Sequence, residues 1–181
     1  MNFSDLKILL IGDSITEGFN TDIFLPELNI TNKGVSGDST QETSKRISSD
    51  WFIPEPHFIF ICIGTNDFAR GRDDDFILEG IKSIIDKVRT HIRESKIVIT
   101  SIFPTRNNPE RPNKRIVNFN YKLKNLTISK NILFFNLNEH FADIEGLLIN
   151  EFSDDGLHLN NDAYKYWAIK LFEFVSLTNI N

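Results

Sequence analysis

The sequence predicts a protein of the α/β class with a mainly parallel, five-stranded sheet. Apolar runs of strand length alternate with segments whose apolar residues recur at helical spacing, which is typical of βαβ units. The run from Leu6 to Ile11 is apolar at consecutive positions apart from Lys7, as expected of a parallel strand that is buried on both faces. No repeat or break in composition divides the chain, so we expect residues 1–181 to form a single domain.

Five segments rich in β-branched or aromatic residues are predicted as strands. The third along the chain has the strongest pattern and the second has the weakest. In chain order they are Leu6–Ile11, Asn29–Lys33, His57–Ile63, Lys96–Ile102 and Ile132–Phe135.

Helical periodicity fills three of the remaining intervals. One apolar stripe predicts a helix from about Asp75 to Glu94. Two further stripes run from Ile116 to Leu126 and from Tyr164 to Val175, and Asn160 or Asn161 is available to cap the last helix. The stretch from Phe103 to Asn113 has three prolines and no period, which predicts a long loop.

Composition and charge exclude several classes of function. A single cysteine, Cys62, forms neither an internal disulfide nor a thiolate zinc cluster, and we expect no metal or cofactor. A net charge of -5 disfavours general nucleic-acid binding. No apolar run approaches the roughly 20 residues that span a bilayer, and no signal peptide is recognisable, so we expect a cytoplasmic protein without stable membrane insertion. The oligomeric state stays open.

Ligands of parallel α/β sheets bind beyond the carboxyl ends of the strands. Small and polar residues gather at these positions in this sequence. The four blocks are Gly12-Asp13-Ser14, Gly34-Val35-Ser36-Gly37-Asp38, Gly64-Thr65-Asn66-Asp67 and Asp154-Asp155-Gly156-Leu157-His158.

Three of these residues are candidates for nucleophilic catalysis. Ser14 follows a buried strand, but a serine hydroxyl is a weak nucleophile unless a base removes its proton. His158 is the candidate base, and Asp155, three residues earlier, is the candidate acid that orients it, with Asp154 as the alternative. The competing interpretation is that Ser14 or Asp13 only caps a helix.

Acyl transfer also needs donors for the oxyanion that develops on the substrate. The candidates are the backbone N–H groups of Gly37 and Ser14 and the side-chain amide of Asn66. An ordinary turn glycine and an ordinary turn or cap residue are the alternative interpretations of Gly37 and Asn66.

Arginines in the loops are candidates for contact with an anionic or polyhydroxylated substrate. They lie in the loop after the fourth strand and after the third block, and solvated surface is the simpler interpretation of them. The candidates are Arg70, Arg106, Arg111 and Arg115.

Four segments around these blocks, in their order and spacing, resemble the blocks of the SGNH hydrolases, also called the GDSL esterase/lipase family. They are Gly12-Asp13-Ser14-Ile15-Thr16, Asn32-Lys33-Gly34-Val35-Ser36-Gly37, Gly64-Thr65-Asn66-Asp67 and Asp155-Gly156-Leu157-His158-Leu159. The resemblance implies a three-layer α/β/α flavodoxin-like fold. It also implies Ser14 as nucleophile, His158 as base, Asp155 as its acid, and Ser14, Gly37 and Asn66 as the oxyanion hole.

Within this family, the sequence resembles small single-domain members that are similar to platelet-activating-factor acetylhydrolases and to carbohydrate acetylesterases. We therefore expect a serine esterase for short, acetyl-type carboxylic esters, with a small ester or an acetylated carbohydrate as the binding partner. The first alternative is a thioesterase or lysophospholipase of the same family. Two further alternatives are an enzyme that transfers the acyl group to a sugar alcohol instead of water and a non-catalytic binding module.

Overall fold

The computed structural model describes residues 5–179, and the ends of the predicted domain, residues 1–4 and 180–181, lie outside this range. Five strands form one sheet in the spatial order β2-β1-β3-β4-β5, and all their pairings are parallel. This order is that of flavodoxin-like doubly wound sheets. The predicted fold class is confirmed. The strands are β1 (Lys7–Gly12), β2 (Asn29–Gly34), β3 (Phe58–Cys62), β4 (Lys96–Thr100) and β5 (Leu133–Phe135).

Helices connect the strands and cover the sheet. Short 3₁₀ turns at Ser49–Phe52 and Asn150–Phe152 add to them. In chain order the α-helices are α1 (Ser14–Glu17), α2 (Thr21–Phe24), α3 (Thr40–Arg46), α4 (Thr65–Ala69), α5 (Asp74–Arg89), α6 (Asn113–Lys130), α7 (Leu137–Phe141) and α8 (Asn161–Asn179).

Apolar side chains cover both faces of the sheet, which produces three layers. Leu10 of β1 belongs to a buried cluster on one face that includes Trp167 and Leu171 of α8. Its neighbour Leu9 belongs to the cluster on the other face, together with Ile81 of α5. Each such side chain contributes roughly 1.5–3 kcal/mol when it is fully buried. Burial on both faces explains why β1 is apolar at consecutive positions.

The long helix α5 ends at Arg89, five residues before the predicted end at Glu94. Ile92 still packs against the core, which is why the apolar period continues past the helix. The carboxylate of Glu55 accepts the backbone N–H groups of Arg93 and Glu94 at 2.8 and 2.9 Å. These bonds hold the chain in a non-helical turn that leads into β4.

Strand β4 ends at Thr100, two residues before the predicted end at Ile102. The side chain of Asn120 on α6 binds both the N–H and the carbonyl of Ile102, at 2.8 and 2.9 Å. These bonds replace a strand ladder at that position. The predicted loop follows and ends where α6 begins at Asn113.

The start of α8 distinguishes the two predicted cap residues. Asn160 Oδ1 accepts the N–H groups of Asp162 and Ala163, both at 3.1 Å, so Asn160 is the cap and Asn161 is the first helical residue. Between residues 5 and 179, no helix combines the length and the apolar character that a membrane span requires.

Candidate active site

Ser14 lies at the carboxyl end of β1, in the first position of α1. Asp13 caps this helix, because its side chain accepts the N–H of Ile15 at 3.1 Å. Gly12 lets the turn close, since a Cβ there would overlap Thr16 Oγ1. The capping role therefore belongs to Asp13, and the hydroxyl of Ser14 stays available for another partner.

That partner is His158. Ser14 Oγ lies 3.1 Å from His158 Nε2, although the two residues are 144 positions apart in the chain. On the other side of the ring, His158 Nδ1 lies 2.7 Å from Asp155 Oδ2. Asp155, rather than Asp154, thus contacts the imidazole, and the three predicted residues form a continuous chain of hydrogen bonds.

Hydrogen bonds hold the pKa of Asp155 well below its usual range. Partial burial raises this pKa, but the ring of His158 and the backbone N–H groups of His158 and Leu157 outweigh it. These two N–H groups bind Asp155 Oδ1 at 2.7 and 2.8 Å. The carboxylate is therefore ionised at neutral pH and fixed in direction, although its side chain is 55% exposed.

Ser153 organises this loop, although it is not among the candidate residues predicted from the sequence. Its Oγ lies 2.6 Å from the carbonyl of His158 and 3.2 Å from Asp155 Oδ1, and it accepts the N–H of Gly156 at 2.9 Å. A serine three residues before a turn glycine is the signal that indicates such a local bond.

Gly156 joins the same loop to the chain after β4. Its carbonyl accepts the N–H of Arg106 at 2.8 Å, and its φ is +78°. A Cβ at Gly156 would overlap the carbonyl oxygen of Arg106. This close approach of two backbones determines where the loop carries Asp155 and His158.

The two remaining oxyanion candidates lie in adjoining segments, one in a loop and one in a helix. Gly37 follows β2 with φ +80°, and a Cβ there would meet nothing within 4 Å. Asn66 is in α4, and its Nδ2 donates to the carbonyl of Asp38 at 2.9 Å. Arg70 of the same region donates to the carbonyl of Gly37 at 2.8 Å. The Gly37 loop and the Asn66 helix are thus bound directly to each other.

Asp67 of α4 adds a second link between these two segments, and no role is predicted for it from the sequence. It is fully buried, and its two carboxylate oxygens accept the N–H and the hydroxyl of Thr40 at 2.9 and 3.0 Å. Burial raises the pKa of Asp67 against the lowering effect of these bonds. Its signal in the sequence was only its place in the third block.

Arg46 connects the Gly37 loop to β1. Its guanidinium pairs with the buried carboxylate of Asp38 and donates to the carbonyl of Gly12 at 3.0 Å. The loop is also held by Glu17 of α1, which accepts the N–H of Ser36 at 3.1 Å. The strand end that carries Ser14 and the loop that carries Gly37 therefore share a common set of contacts.

Asp13, which precedes Ser14 in the chain, has a buried carboxyl group. Burial raises its pKa to about 7, although the N–H of Ile15 and the charges of His158 and Arg111 act in the opposite direction. This carboxyl therefore changes its charge near neutral pH, directly beside the candidate nucleophile.

The four candidate arginines all contact groups of the protein itself. Arg106 pairs with Asp143 and Arg115 pairs with Asp74, so both hold loops together. Arg70 pairs with Glu42, and Arg111 is nearly buried against Asn66. Arg70 and Arg111 thus lie beside the oxyanion candidates, and a contact with substrate stays a prediction for all four.

A serine bound to a histidine and an aspartate, at the carboxyl ends of a doubly wound parallel sheet, is an arrangement suited to an acyl hydrolase. The sequence model of the GDSL-like lipase/acylhydrolase family matches residues 10–166. The chain belongs to this family, which confirms the resemblance found in the sequence, and the family comprises hydrolases of carboxylic esters.

Two curated relatives align with nearly the whole chain. The N-acylneuraminate cytidylyltransferase of Escherichia coli is 26% identical over 172 residues, which cover 93% of this chain but only 40% of that enzyme. The platelet-activating factor acetylhydrolase IB subunit alpha2 of Homo sapiens is 23% identical over 175 residues, which cover 93% of this chain and 75% of the subunit. The chain thus corresponds to less than half of the first relative.

Solved structures share the fold over nearly its full extent. A platelet-activating-factor protein from Streptococcus pneumoniae has a TM-score of 0.86 and 26% identity, covering 94% of this chain and 84% of its own. A variant of an acetyl-xylooligosaccharide esterase from Geobacillus has a TM-score of 0.71 and 21% identity, covering 96% and 95%. The second comparison shows the fold alone.

Proposed function

We propose that the chain is a serine esterase that hydrolyses short-chain carboxylic esters, with acetyl esters as the preferred substrates. The observation that carries the proposal is the chain of contacts from Ser14 Oγ to His158 Nε2 at 3.1 Å and from His158 Nδ1 to Asp155 Oδ2 at 2.7 Å. A serine, a base and an orienting acid at these distances are what nucleophilic acyl transfer requires.

The reaction proceeds in two halves. His158 Nε2 takes the proton of Ser14 as Oγ attacks the ester carbonyl, and it returns this proton to the alcohol that leaves. Water then attacks the acyl-enzyme, with His158 again as base, and releases the acid and the free serine. Asp155 stays ionised throughout and stabilises the imidazolium that forms in each half.

The oxyanion of each tetrahedral intermediate is stabilised by the N–H groups of Ser14 and Gly37 and by Asn66 Nδ2. One of the two Nδ2 hydrogens binds the carbonyl of Asp38, which leaves the other for the substrate. The open space around the Cα of Gly37 favours close approach of an acyl group to its N–H.

Two observations favour a short acyl group. The side chains of His158 and Asp155 are 51% and 55% exposed, so the reacting centre is open to solvent and suits a small acyl group on a larger, solvated alcohol. The names of two similar proteins, an acetylhydrolase and an acetyl-xylooligosaccharide esterase, indicate acetyl esters as their substrates. An acetylated carbohydrate is therefore the natural substrate class to test first.

A panel of esters tests the proposal. Wild type and Ser14→Ala are assayed with p-nitrophenyl acetate, butyrate and octanoate, an acetylated xylo-oligosaccharide and an acyl-CoA. We expect acetate to be the best simple ester and Ser14→Ala to be inactive on all of them. A preference for octanoate or the acyl-CoA would instead support the lysophospholipase or thioesterase alternative.

Labelling with a fluorophosphonate probe separates an enzyme from a non-catalytic binding protein. We expect the probe to label wild type but not Ser14→Ala. Ser36→Ala is the matched control, because Ser36 is an exposed serine at the same edge of the sheet, and this variant should label fully. Failure of wild type to react with the probe would contradict the esterase.

A further inference from the structure

We propose that Arg111 is a positioning residue that sets the direction of the Asn66 side-chain amide, so that Nδ2 faces the oxyanion. The inference rests on the proposed function, in which Asn66 is an oxyanion donor. It differs from the expectation that Arg111 contacts the substrate.

Arg111 lies in the loop between β4 and α6 and reaches the start of α4. Its side chain is only 10% exposed. Nε donates to the carbonyl of Thr65 at 3.0 Å, and Nη2 donates to Asn66 Oδ1 at 3.3 Å. Nη1 lies 3.4 Å from Asn108 Oδ1. The guanidinium is thus held between its own loop and the two residues that begin α4.

The backbone of Arg111 is held by hydrogen bonds as well. The hydroxyl of Thr105 donates to the carbonyl of Arg111 at 2.7 Å, and the N–H of Arg111 donates to the carbonyl of Asn108 at 3.1 Å. The guanidinium of Arg111 is therefore nearly buried and held in one position before any substrate binds.

The side-chain amide of asparagine has two ends of similar shape but opposite hydrogen-bonding character, because Oδ1 accepts and Nδ2 donates. At Asn66, the carbonyl of Asp38 accepts from Nδ2 at 2.9 Å, while the guanidinium of Arg111 donates to Oδ1. A rotation of the amide by half a turn would place Oδ1 against the carbonyl and Nδ2 against the guanidinium. Both contacts would then become repulsive, so the two neighbours together allow one direction only.

The charge of Arg111 also strengthens the donor. A cation at Oδ1 draws electron density from the amide, and hydrogen bonds that involve a charged group are stronger than neutral ones. Because the Arg111 side chain is only 10% exposed, its charge is screened weakly by water. Arg111 therefore acts on the oxyanion through Asn66 without touching the substrate.

A double-mutant cycle tests this role. We expect Arg111→Met to lower kcat by about 10-fold, which is less than the 100- to 1000-fold loss expected for a missing oxyanion donor, and to change KM by less than about twofold. In an Asn66→Ala background the same substitution should have almost no further effect, because the group it orients is gone. Arg93→Met, an exposed arginine at the amino end of β4, is the matched control and should keep wild-type kinetics.

Two kinetic outcomes would overturn the inference. One is an equal loss of kcat from Arg111→Met in the wild-type and Asn66→Ala backgrounds. The other is a rise in KM with kcat unchanged, which indicates direct substrate binding. If Arg111→Met does not fold, Arg111→Gln is put through the same cycle and judged by the same two outcomes.

A spectroscopic measurement tests the positioning without catalysis. The Nδ2 proton resonances of Asn66 are assigned by their loss in Asn66→Ala, and they should shift in Arg111→Met. The reference is Asn136, which follows β5 and whose Nδ2 donates to Glu139 at 2.7 Å; its resonances should not shift. Unchanged Asn66 resonances would overturn the inference. An inactive wild type with shifted resonances would refute the esterase and leave the positioning intact, so the two failures are distinguishable.

Discussion

Asp155 binds His158 twice, through its ring and through its backbone. Oδ2 lies 2.7 Å from Nδ1 of the imidazole, and Oδ1 accepts the N–H of the same residue at 2.7 Å. One carboxylate therefore orients the ring and fixes the position of the Cα from which the ring extends. This double contact keeps the imidazole of His158 in place although both side chains are half exposed.

Asp155→Asn should lower kcat strongly and leave the fold intact. An amide cannot stabilise the imidazolium, and its Nδ2 favours the wrong tautomer of His158, so we expect a loss of about 1000- to 10,000-fold. Hydrolysis of p-nitrophenyl acetate measures this loss. Asp154→Asn removes a neighbouring charge outside the triad and should stay near wild type; a comparable loss in both variants would contradict the assignment of Asp155.

Asp13→Asn should change how stability depends on pH. The pKa of Asp13 is about 7 in the folded chain and close to 4 when unfolded, so between these values the folded state holds the extra proton. Stability therefore falls as pH rises from about 4 to 7, and this loss persists above pH 7. Asparagine cannot ionise but can still accept the N–H of Ile15.

Urea unfolding at pH 4.5 and pH 8 measures this effect. The variant should resemble wild type at the lower pH and exceed it in free energy of unfolding at the higher pH. Identical changes in wild type and Asp13→Asn between the two pH values would show that Asp13 titrates normally.

Gly156→Ala should displace the loop that carries Asp155 and His158. The added Cβ would overlap the carbonyl of Arg106, and the positive φ adds strain of order 1–3 kcal/mol. Gly146→Ala is a matched control, because Gly146 has φ +76° but open space around its Cα. The midpoint temperature of thermal unfolding and kcat should both fall for Gly156→Ala. For Gly146→Ala only the midpoint temperature should fall.

Asp67→Ala should destabilise the link between α4 and the start of α3. It leaves the buried N–H and hydroxyl of Thr40 without their acceptors, which costs about 1–3 kcal/mol for an unsatisfied group. Asp67→Asn should cost less, since an amide can accept the N–H and donate to the hydroxyl. Denaturant unfolding of the two variants gives the comparison, and an equal loss in both would contradict the proposed contacts.

Local patterns predicted much of the fold and of the site. The five predicted strands lie within two residues of their observed ends. Burial on both faces explains the continuous apolar runs of β1, β3 and β4, whereas the edge strand β2 is polar and partly exposed, which is why its pattern is the weakest. Residues just after the strands, such as Ser14 and Asn66, were selected because parallel strands end at a common edge. The helix α5 was extended too far because Ile92 packs against the core outside the helix.

The candidate arginines show where local patterns carry too little information. Arg106 and Arg111 lie five positions apart in one polar loop, yet the first pairs with Asp143 and the second with Asn66. Nothing within the loop distinguishes them, because Asp143 and Asn66 both belong to distant segments. Asp67 shows the same limit, since its partner Thr40 lies 27 positions away. Ser153 differs, because it binds within its own loop and a serine three residues before a turn glycine is a local signal for it.

The sequence by itself determined the α/β class, the order of the strands along the chain and the residues that lie at their ends, since these follow from local periodicity and chain order. The tertiary structure decided which of those residues meet. Ser14 and His158 come together across 144 positions because the crossovers place β1 between β2 and β3 and pack α8 against the face of the sheet that carries Leu10. Burial of Asp13, the direction of the Asn66 amide and the contact of Gly156 with Arg106 depend likewise on packing between segments that are distant in sequence.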